Sequence, residues 1–196
     1  DANHDGKLSP SEVVMDTTHA SDGTRTSFMG PVLPTFSRTF AGDLTLFKYV
    51  TLSTLFDWRG GNRQSNQTAS FACQTDIGKG ERGCNANMNP NASLDEQARF
   101  IAYRVYGSYY GYDEKADFVK WRELSVPLAA PQMLADRLGF AKNASLTLSG
   151  RNLHTWTNYT GLDPEVNEVG ASNLSQDEFN TQPPLRFFTV RLNFQF

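Results

Sequence analysis

Apolar and polar residues alternate with a period of two in five separate stretches, the signature of strands with one apolar and one polar face. In residues 35–46 one face carries Phe36, Phe40, Leu44 and Leu46, and the other Thr35, Ser37, Thr39, Asp43 and Thr45; Arg38 interrupts the apolar face near one end. Residues 50–58 set Val50, Leu52, Phe56 and Trp58 against Thr51, Ser53 and Asp57. Only Phe47-Lys48-Tyr49 joins these two stretches, which predicts a tight antiparallel pair. In the third stretch, 117–129, Leu124, Val126 and Leu128 alternate with Glu123 and Ser125. Trp121 and Arg122 fall out of phase there, predicting a bulge, and Pro127 suits a strand end. The fourth opposes Ala144, Leu146 and Leu148 to Ser145, Thr147, Ser149 and Arg151. The fifth is the most regular: Phe188, Val190, Leu192, Phe194 and Phe196 against Thr189, Arg191, Asn193 and Gln195.

Helical signals are few and short. Residues 94–104 follow Ser93, an N-cap with Glu96 three positions on, and residues 131–138 stop at Gly139. Neither is long enough to cover the apolar faces of five strands. The connections alternate short (47–49), very long (about 60–116), medium (130–142) and long (about 154–184). Transmembrane barrels have this rhythm, with short periplasmic turns and long outer loops, whereas compact domains rarely carry such loops without a function. Composition agrees with an all-β chain: 14 Phe, 7 Tyr and 3 Trp accompany many turn-forming residues. A net charge of −3 offers no basic surface for nucleic acid. No apolar run is long enough for a transmembrane helix, which leaves strands as the only means of crossing a bilayer. The chain begins at Asp1 without the basic and apolar regions of a signal peptide, and reads as a cut within a longer protein. The rival architecture is a secreted calcium-binding β-sandwich, an adhesion or carbohydrate-binding module whose two sheets cover each other.

Specific motifs favour the barrel. The chain ends in Phe196 with apolar residues at every second position before it, which resembles the C-terminal signature of bacterial outer-membrane proteins. The stretch Gly150-Arg151-Asn152-Leu153, continuing through Asn158-Tyr159-Thr160-Gly161-Leu162-Asp163-Pro164-Glu165-Val166, resembles a segment near the end of SusC/RagA-type TonB-dependent receptors. Phe118-Val119-Lys120-Trp121-Arg122-Glu123-Leu124-Ser125 and Pro184-Leu185-Arg186-Phe187-Phe188-Thr189-Val190 are similar to two of that family's closing strands, with Val126-Pro127 departing from the aromatic usual there. The resemblance implies an antiparallel transmembrane β-barrel segment, about five C-terminal strands of a larger barrel of about 22. Five strands leave two open edges, which a bilayer does not tolerate, so further strands are required. The implied function is TonB-dependent import of a large solute, an oligosaccharide or peptide, through a barrel set in outer-membrane lipid. The implied partners are TonB and a SusD-like surface lipoprotein. Residues 1–34 would form an extracellular loop and residues 35–196 the barrel strands with their long loops.

Candidate chemistry is confined to a few places. Residues 1–12 fit the twelve-residue EF-hand calcium loop: Asp1, Asn3 and Asp5 as side-chain ligands, Gly6 at the turn, the Lys7 carbonyl, Ser9 through water, Leu8 as the apolar position and Glu12 as a bidentate carboxylate. The flanking helices of an EF-hand are missing, but the related receptors carry a similar stretch in an outer loop. An extracellular-grade affinity of about 10⁻⁴–10⁻³ M is expected. The alternative is a polar turn held by Asp and Asn hydrogen bonds alone. Cys73 and Cys84 share a Gly- and Asn-rich loop, where a disulfide is expected in an oxidising compartment. His4, His19 and His154 lack metal-ligand spacing, Gly78-Lys79-Gly80 is no phosphate loop, and no nucleophile–base set is present, so no enzymatic role is expected. The aromatic cluster from Tyr106 through Tyr109, Tyr110 and Tyr112 reads as an interfacial girdle, with stacking on a solute as the alternative.

Overall fold

In the computed structural model the described residues are 1–15, 28–46, 49–74, 83–131, 133, 137, 139, 142–170 and 175–195. Phe47 and Lys48 of the first turn, His19, Gly78-Lys79-Gly80, most of the 131–138 helix candidate and the terminal Phe196 lie outside them.

All five alternating stretches are strands: β1 (Phe36–Leu46), β2 (Val50–Gly60), β5 (Phe118–Ala129), β6 (Asn143–Thr157) and β8 (Phe187–Gln195). They form one antiparallel sheet in the order β1-β2-β5-β6-β8. Short strands β3 (Arg63–Asn66), β4 (Asp113–Lys115) and β7 (Asp177–Glu178) form a second sheet in the order β4-β3-β7. Among the described residues, α1 (Gln67–Ala72), α2 (Asn85–Met88) and α3 (Leu94–Tyr106) are α-helices. The chain divides into two compact units: residues 35–60, 117–158 and 183–196 hold the large sheet, and residues 1–34, 61–116 and 159–182 hold the rest.

Register carries the two-faced pattern across all five strands of the large sheet. Leu44 pairs with Leu52, and Val126 with Leu148, which pairs in turn with Val190. Likewise Val50 pairs with Leu128, Leu128 with Leu146, and Leu146 with Leu192. Since paired residues share a face, these rows make one continuous apolar surface. The expected bulge is present: Leu55 opposes Glu123 while Phe56 opposes Trp121, leaving Arg122 as the extra residue. On its other side β5 meets a second irregularity, because Trp121 pairs with His154 but Glu123 with Arg151. There Asn152 takes φ 53°, a left-handed conformation that Asn tolerates better than most residues, and its Nδ2 donates to the Leu185 carbonyl at 2.9 Å. Pro127 lies near the end of β5 as expected, where the ladder to β2 steps from Ser53↔Ser125 to Val50↔Leu128. The same register gathers residues 36, 60, 118 and 157 at one end of the sheet. The long connections therefore leave from that end and the two shorter turns from the other.

The second unit is built from these long connections, which are folded rather than irregular. Helix α3 begins with the expected capping box, Ser93 Oγ accepting from Glu96 N–H and the Glu96 carboxylate accepting from Ser93 N–H. It ends at Gly107, whose φ of 67° allows its N–H to reach the Tyr103 carbonyl and that of Ser108 to reach Ala102. Cys73, Tyr103 and Tyr112 are buried together, with Ala69, Cys84 and Phe100 packed against them. Beside this small apolar core, one face of β3 presents Gln64 and Asn66, both fully buried.

Candidate functional site

The large sheet offers its apolar face to its surroundings. Phe188 is 73% exposed, Val190 68% and Leu192 62%, and Phe40, Leu44 and Leu148 are exposed as well. A contiguous uncovered surface of this kind marks contact with something apolar, because water-facing surfaces of monomers rarely hold large apolar patches. Toward the end of the sheet that carries the long connections, aromatics replace aliphatics. Phe56 stacks on Trp121 at 5.6 Å and lies 6.4 Å from Trp156, and Phe36 meets Trp58 edge-on at 5.3 Å. Arg38, the residue that interrupts the apolar pattern, lies over the Trp58 ring at 5.4 Å, where a cation is favoured by the ring face. An aromatic band with a cation at its edge suits the boundary between hydrocarbon and water.

The opposite face is polar and internally paired. Asp57 is buried and accepts from Thr39 Oγ1 at 2.7 Å, from Arg59 Nη2 at 3.0 Å and from Arg122 Nη2 at 3.0 Å. The bulge at Arg122 is what turns that guanidinium to this face. Glu123 pairs with Arg151 at 3.1 Å across β5 and β6.

The residue 1–12 loop curls as its spacing requires. Gly6 has φ 78°, a conformation that favours glycine, and nothing crowds its Cα. The Asp1 carboxylate accepts from Asp5 N–H and Gly6 N–H, both at 3.1 Å, and Asp5 accepts from Lys7 N–H at 2.7 Å. Asn3 Oδ1 accepts from Asp5 N–H at 3.3 Å. Glu12 closes the loop, accepting from Ala2 N–H at 2.7 Å and from Ser9 N–H at 2.8 Å and Oγ at 2.7 Å. The donors at Ser9, first N–H and then hydroxyl, with Ala2 N–H, hold the Glu12 carboxyl down at about 2. The side chains or backbones of Ala2, Asn3, Asp5, Lys7, Ser9 and Glu12 line one shallow concavity. It offers oxygens from the Asp5 and Glu12 carboxylates, the Asn3 carboxamide and Ser9, the kind of donor a hard cation such as calcium prefers. Among the described residues no set of three His, Cys, Asp or Glu side chains stands gathered as a metal cluster. The carboxylates are instead turned to the loop's own amides.

Cys73 and Cys84 form a disulfide, and Tyr112 Oη lies 3.1 Å from Cys73 Sγ. The girdle reading is corrected here for Tyr112. Tyr103 and Tyr112 are core residues, packed edge-to-face at 5.5 Å, and burial pushes the Tyr112 phenol up to about 12. Tyr106 donates to the Pro10 carbonyl at 2.6 Å and, like Tyr109 and Tyr110, stays exposed. The large sheet carries an aromatic band of its own.

A polar cluster that sequence reading missed explains the motif after β6. Glu178 is fully buried; its carboxylate accepts from Thr68 Oγ1 at 2.5 Å and Leu162 N–H at 3.1 Å, with Tyr159 Oη at 3.5 Å. Glu114 accepts from Thr160 N–H at 2.8 Å and Oγ1 at 2.6 Å, and Gln64 Nε2 donates to the Val166 carbonyl at 2.5 Å. Burial, and then the Glu178 charge, raise the Tyr159 phenol. At Gly161 a Cβ would stand 2.4 Å from Glu178 Oε2 and 2.5 Å from the Tyr159 ring, so only glycine fits. Residues 159–166 are thus a fastening segment.

No family model matches the chain. TonB-dependent receptor P3 of Formosa agariphila is 27% identical over 178 residues, covering 86% of this chain and 17% of that protein. Two structures of the RagAB peptide importer share the fold. The open-open state matches with a TM-score of 0.58 at 18% identity over 87% of this chain, and the closed-closed state with 0.61 at 19% identity over 85%. The chain spans 17% of the curated relative's length and 18% of each of these two solved chains. In sequence the chain is thus similar to a TonB-dependent receptor and in fold to the RagAB importer, and the motifs around Asn152 and Tyr159 and the two-faced sheet agree with a resemblance to SusC/RagA-type TonB-dependent receptors.

Proposed function

We propose that the chain is the C-terminal barrel portion of an outer-membrane importer that takes up a large solute, an oligosaccharide or peptide, with energy supplied through TonB. The observation that carries this reading is the apolar face running across all five strands and left exposed, opposite a face of paired polar side chains. In the bilayer the first face meets lipid and the second lines the lumen, while the long connections form the outer vestibule. A SusD-like lipoprotein seats on that vestibule. The names of the relatives, a TonB-dependent receptor and a peptide importer, support the class of activity. The sandwich alternative needs a second layer over Val190 and Leu192, and both are exposed.

The loop at residues 1–12 holds a structural calcium ion in this reading. Asp1, Asn3, Asp5, Glu12 and the Lys7 carbonyl are its ligands, with Ser9 acting through water. The ion staples the loop and takes no part in covalent chemistry. The test of the whole proposal is uptake by cells carrying the full-length receptor, offered labelled oligosaccharides and labelled peptides, with and without functional TonB. Uptake of one class that stops without TonB supports the proposal. TonB-independent uptake, or uptake of neither class by a correctly inserted receptor, overturns it.

A further inference from the structure

We infer that Gln97, on helix α3, is a positioning residue for the cation loop, aiming the Lys7 carbonyl into it. The inference rests on the calcium reading proposed above and assigns a residue that lies outside the loop and its twelve-residue pattern.

The Gln97 carboxamide reaches both sides of Lys7. Its Oε1 accepts from Leu8 N–H at 2.8 Å, and its Nε2 donates to the Gly6 carbonyl at 3.0 Å. The same Nε2 also donates to the Ala92 carbonyl at 2.8 Å, which holds the side chain against the start of its own helix. One side-chain amide therefore does for residues 6–8 what a neighbouring strand does in a sheet. Each planar trans peptide holds a carbonyl and the N–H that follows it pointing in opposite directions. With the Gly6 carbonyl and Leu8 N–H directed to Gln97, the N–H and carbonyl of Lys7 face the other way. The Lys7 N–H does so, donating to Asp5 Oδ1 at 2.7 Å. The Lys7 carbonyl thus lies on the side of Asp5, where the position-seven oxygen of a calcium loop belongs. Tyr106 makes a second, separate attachment of the loop to α3 through the Pro10 carbonyl at 2.6 Å, away from Lys7.

The two attachments allow positioning to be separated from simple docking. Terbium luminescence and competing calcium are read on the full-length receptor in detergent, for the parent and for Gln97→Ala, Gln97→Glu, Tyr106→Phe and Glu12→Gln. Losing the paired bonds to residues 6 and 8 is expected to weaken calcium about tenfold in Gln97→Ala. Gln97→Glu keeps the acceptor for Leu8 but turns an oxygen on the Gly6 carbonyl, and is expected to be as weak. Tyr106→Phe is expected to change affinity by less than about twofold, although it too loosens the loop. Hydrogen exchange at Leu8 N–H, read without calcium, should quicken in Gln97→Ala only. If the parent binds neither ion, the calcium reading itself fails. If the parent binds and Glu12→Gln does not, but Gln97→Ala equals the parent, the calcium reading stands and the role of Gln97 is overturned. Equal weakening by Gln97→Ala and Tyr106→Phe also overturns it, in favour of general docking.

Discussion

Replacing Leu192 by Arg asks which solvent the sheet faces. Leu192 is the centre of the apolar run of β8, pairs with Leu146, and is 62% exposed. If water surrounded it, the substitution would be an ordinary surface change, worth at most about 0.5 kcal/mol. In lipid a guanidinium at the midplane of a barrel costs about 2–4 kcal/mol, falling toward zero near the interfaces. Leu192 stands three residues from Gln195, the last residue of the strand, about 10 Å at ~3.4 Å per residue. A tilt of about 40° reduces that to a depth of roughly 8 Å, so the lower part of the range applies, about 2–3 kcal/mol. Asn193→Arg is the control: its side chain points to the polar face, pairs across to Ser145, and is expected to cost no more than about 0.5 kcal/mol. The assay is reversible folding of the full-length receptor into phospholipid vesicles across a guanidinium series, followed by tryptophan emission. A Leu192→Arg variant as stable as its parent, or one matched by Asn193→Arg, would refute the assignment of faces.

Three further outcomes follow from the loop unit. Removing the disulfide with Cys73→Ser is expected to cost the loop unit about 2–4 kcal/mol, read as faster hydrogen exchange in α1 and α3 under non-reducing conditions. Glu178→Gln turns an amide N–H on Leu162 N–H or on the Thr68 side, and should destabilise residues 159–166 by about 1–3 kcal/mol. Limited proteolysis of that segment at neutral pH, unchanged from the parent, would contradict this. Glu12 is held at about 2 against an ordinary 4.5, so its contribution to the closed loop is complete above the higher value and is lost as pH falls through the lower. The carboxyl carbon shift of Glu12, titrated in the calcium-free receptor, should therefore show no midpoint near 4.5.

Much of the architecture was legible because a period of two survives any change of partner. Each strand with one lipid-like and one wet face must alternate along its own length, whatever lies beside it. The bulge at Arg122 was visible for the same reason, as a break in phase. So was the capping box at Ser93 and Glu96, a local device with a fixed spacing. The connections read as open loops for a physical reason as well. Strands of two to four residues and helices of four or six are too short to show a period. Their core is small and assembled from distant parts, with Cys73, Tyr103 and Tyr112 meeting only once the chain has folded. The tyrosines carried the composition of a membrane girdle, and sequence alone does not distinguish a ring at an interface from a ring against a disulfide.

By itself, then, the order of residues determined the five strands, the tight antiparallel pairing of the first two, the two kinds of face and the oxygen-rich spacing of residues 1–12. Those properties depend on neighbours one to twelve positions apart, where covalent geometry dictates which side chains can meet. Only the tertiary structure decided that Glu178 and Glu114 fasten the motif after β6, that Asn152 turns left-handed to meet Leu185, and that Gln97 reaches across to the loop around Lys7. These contacts join residues up to about ninety positions apart, and a buried carboxylate or a bridging amide has no local pattern to announce it. Their partners are chosen by the need to satisfy each polar group once water is gone, and that need arises only when the chain closes over it.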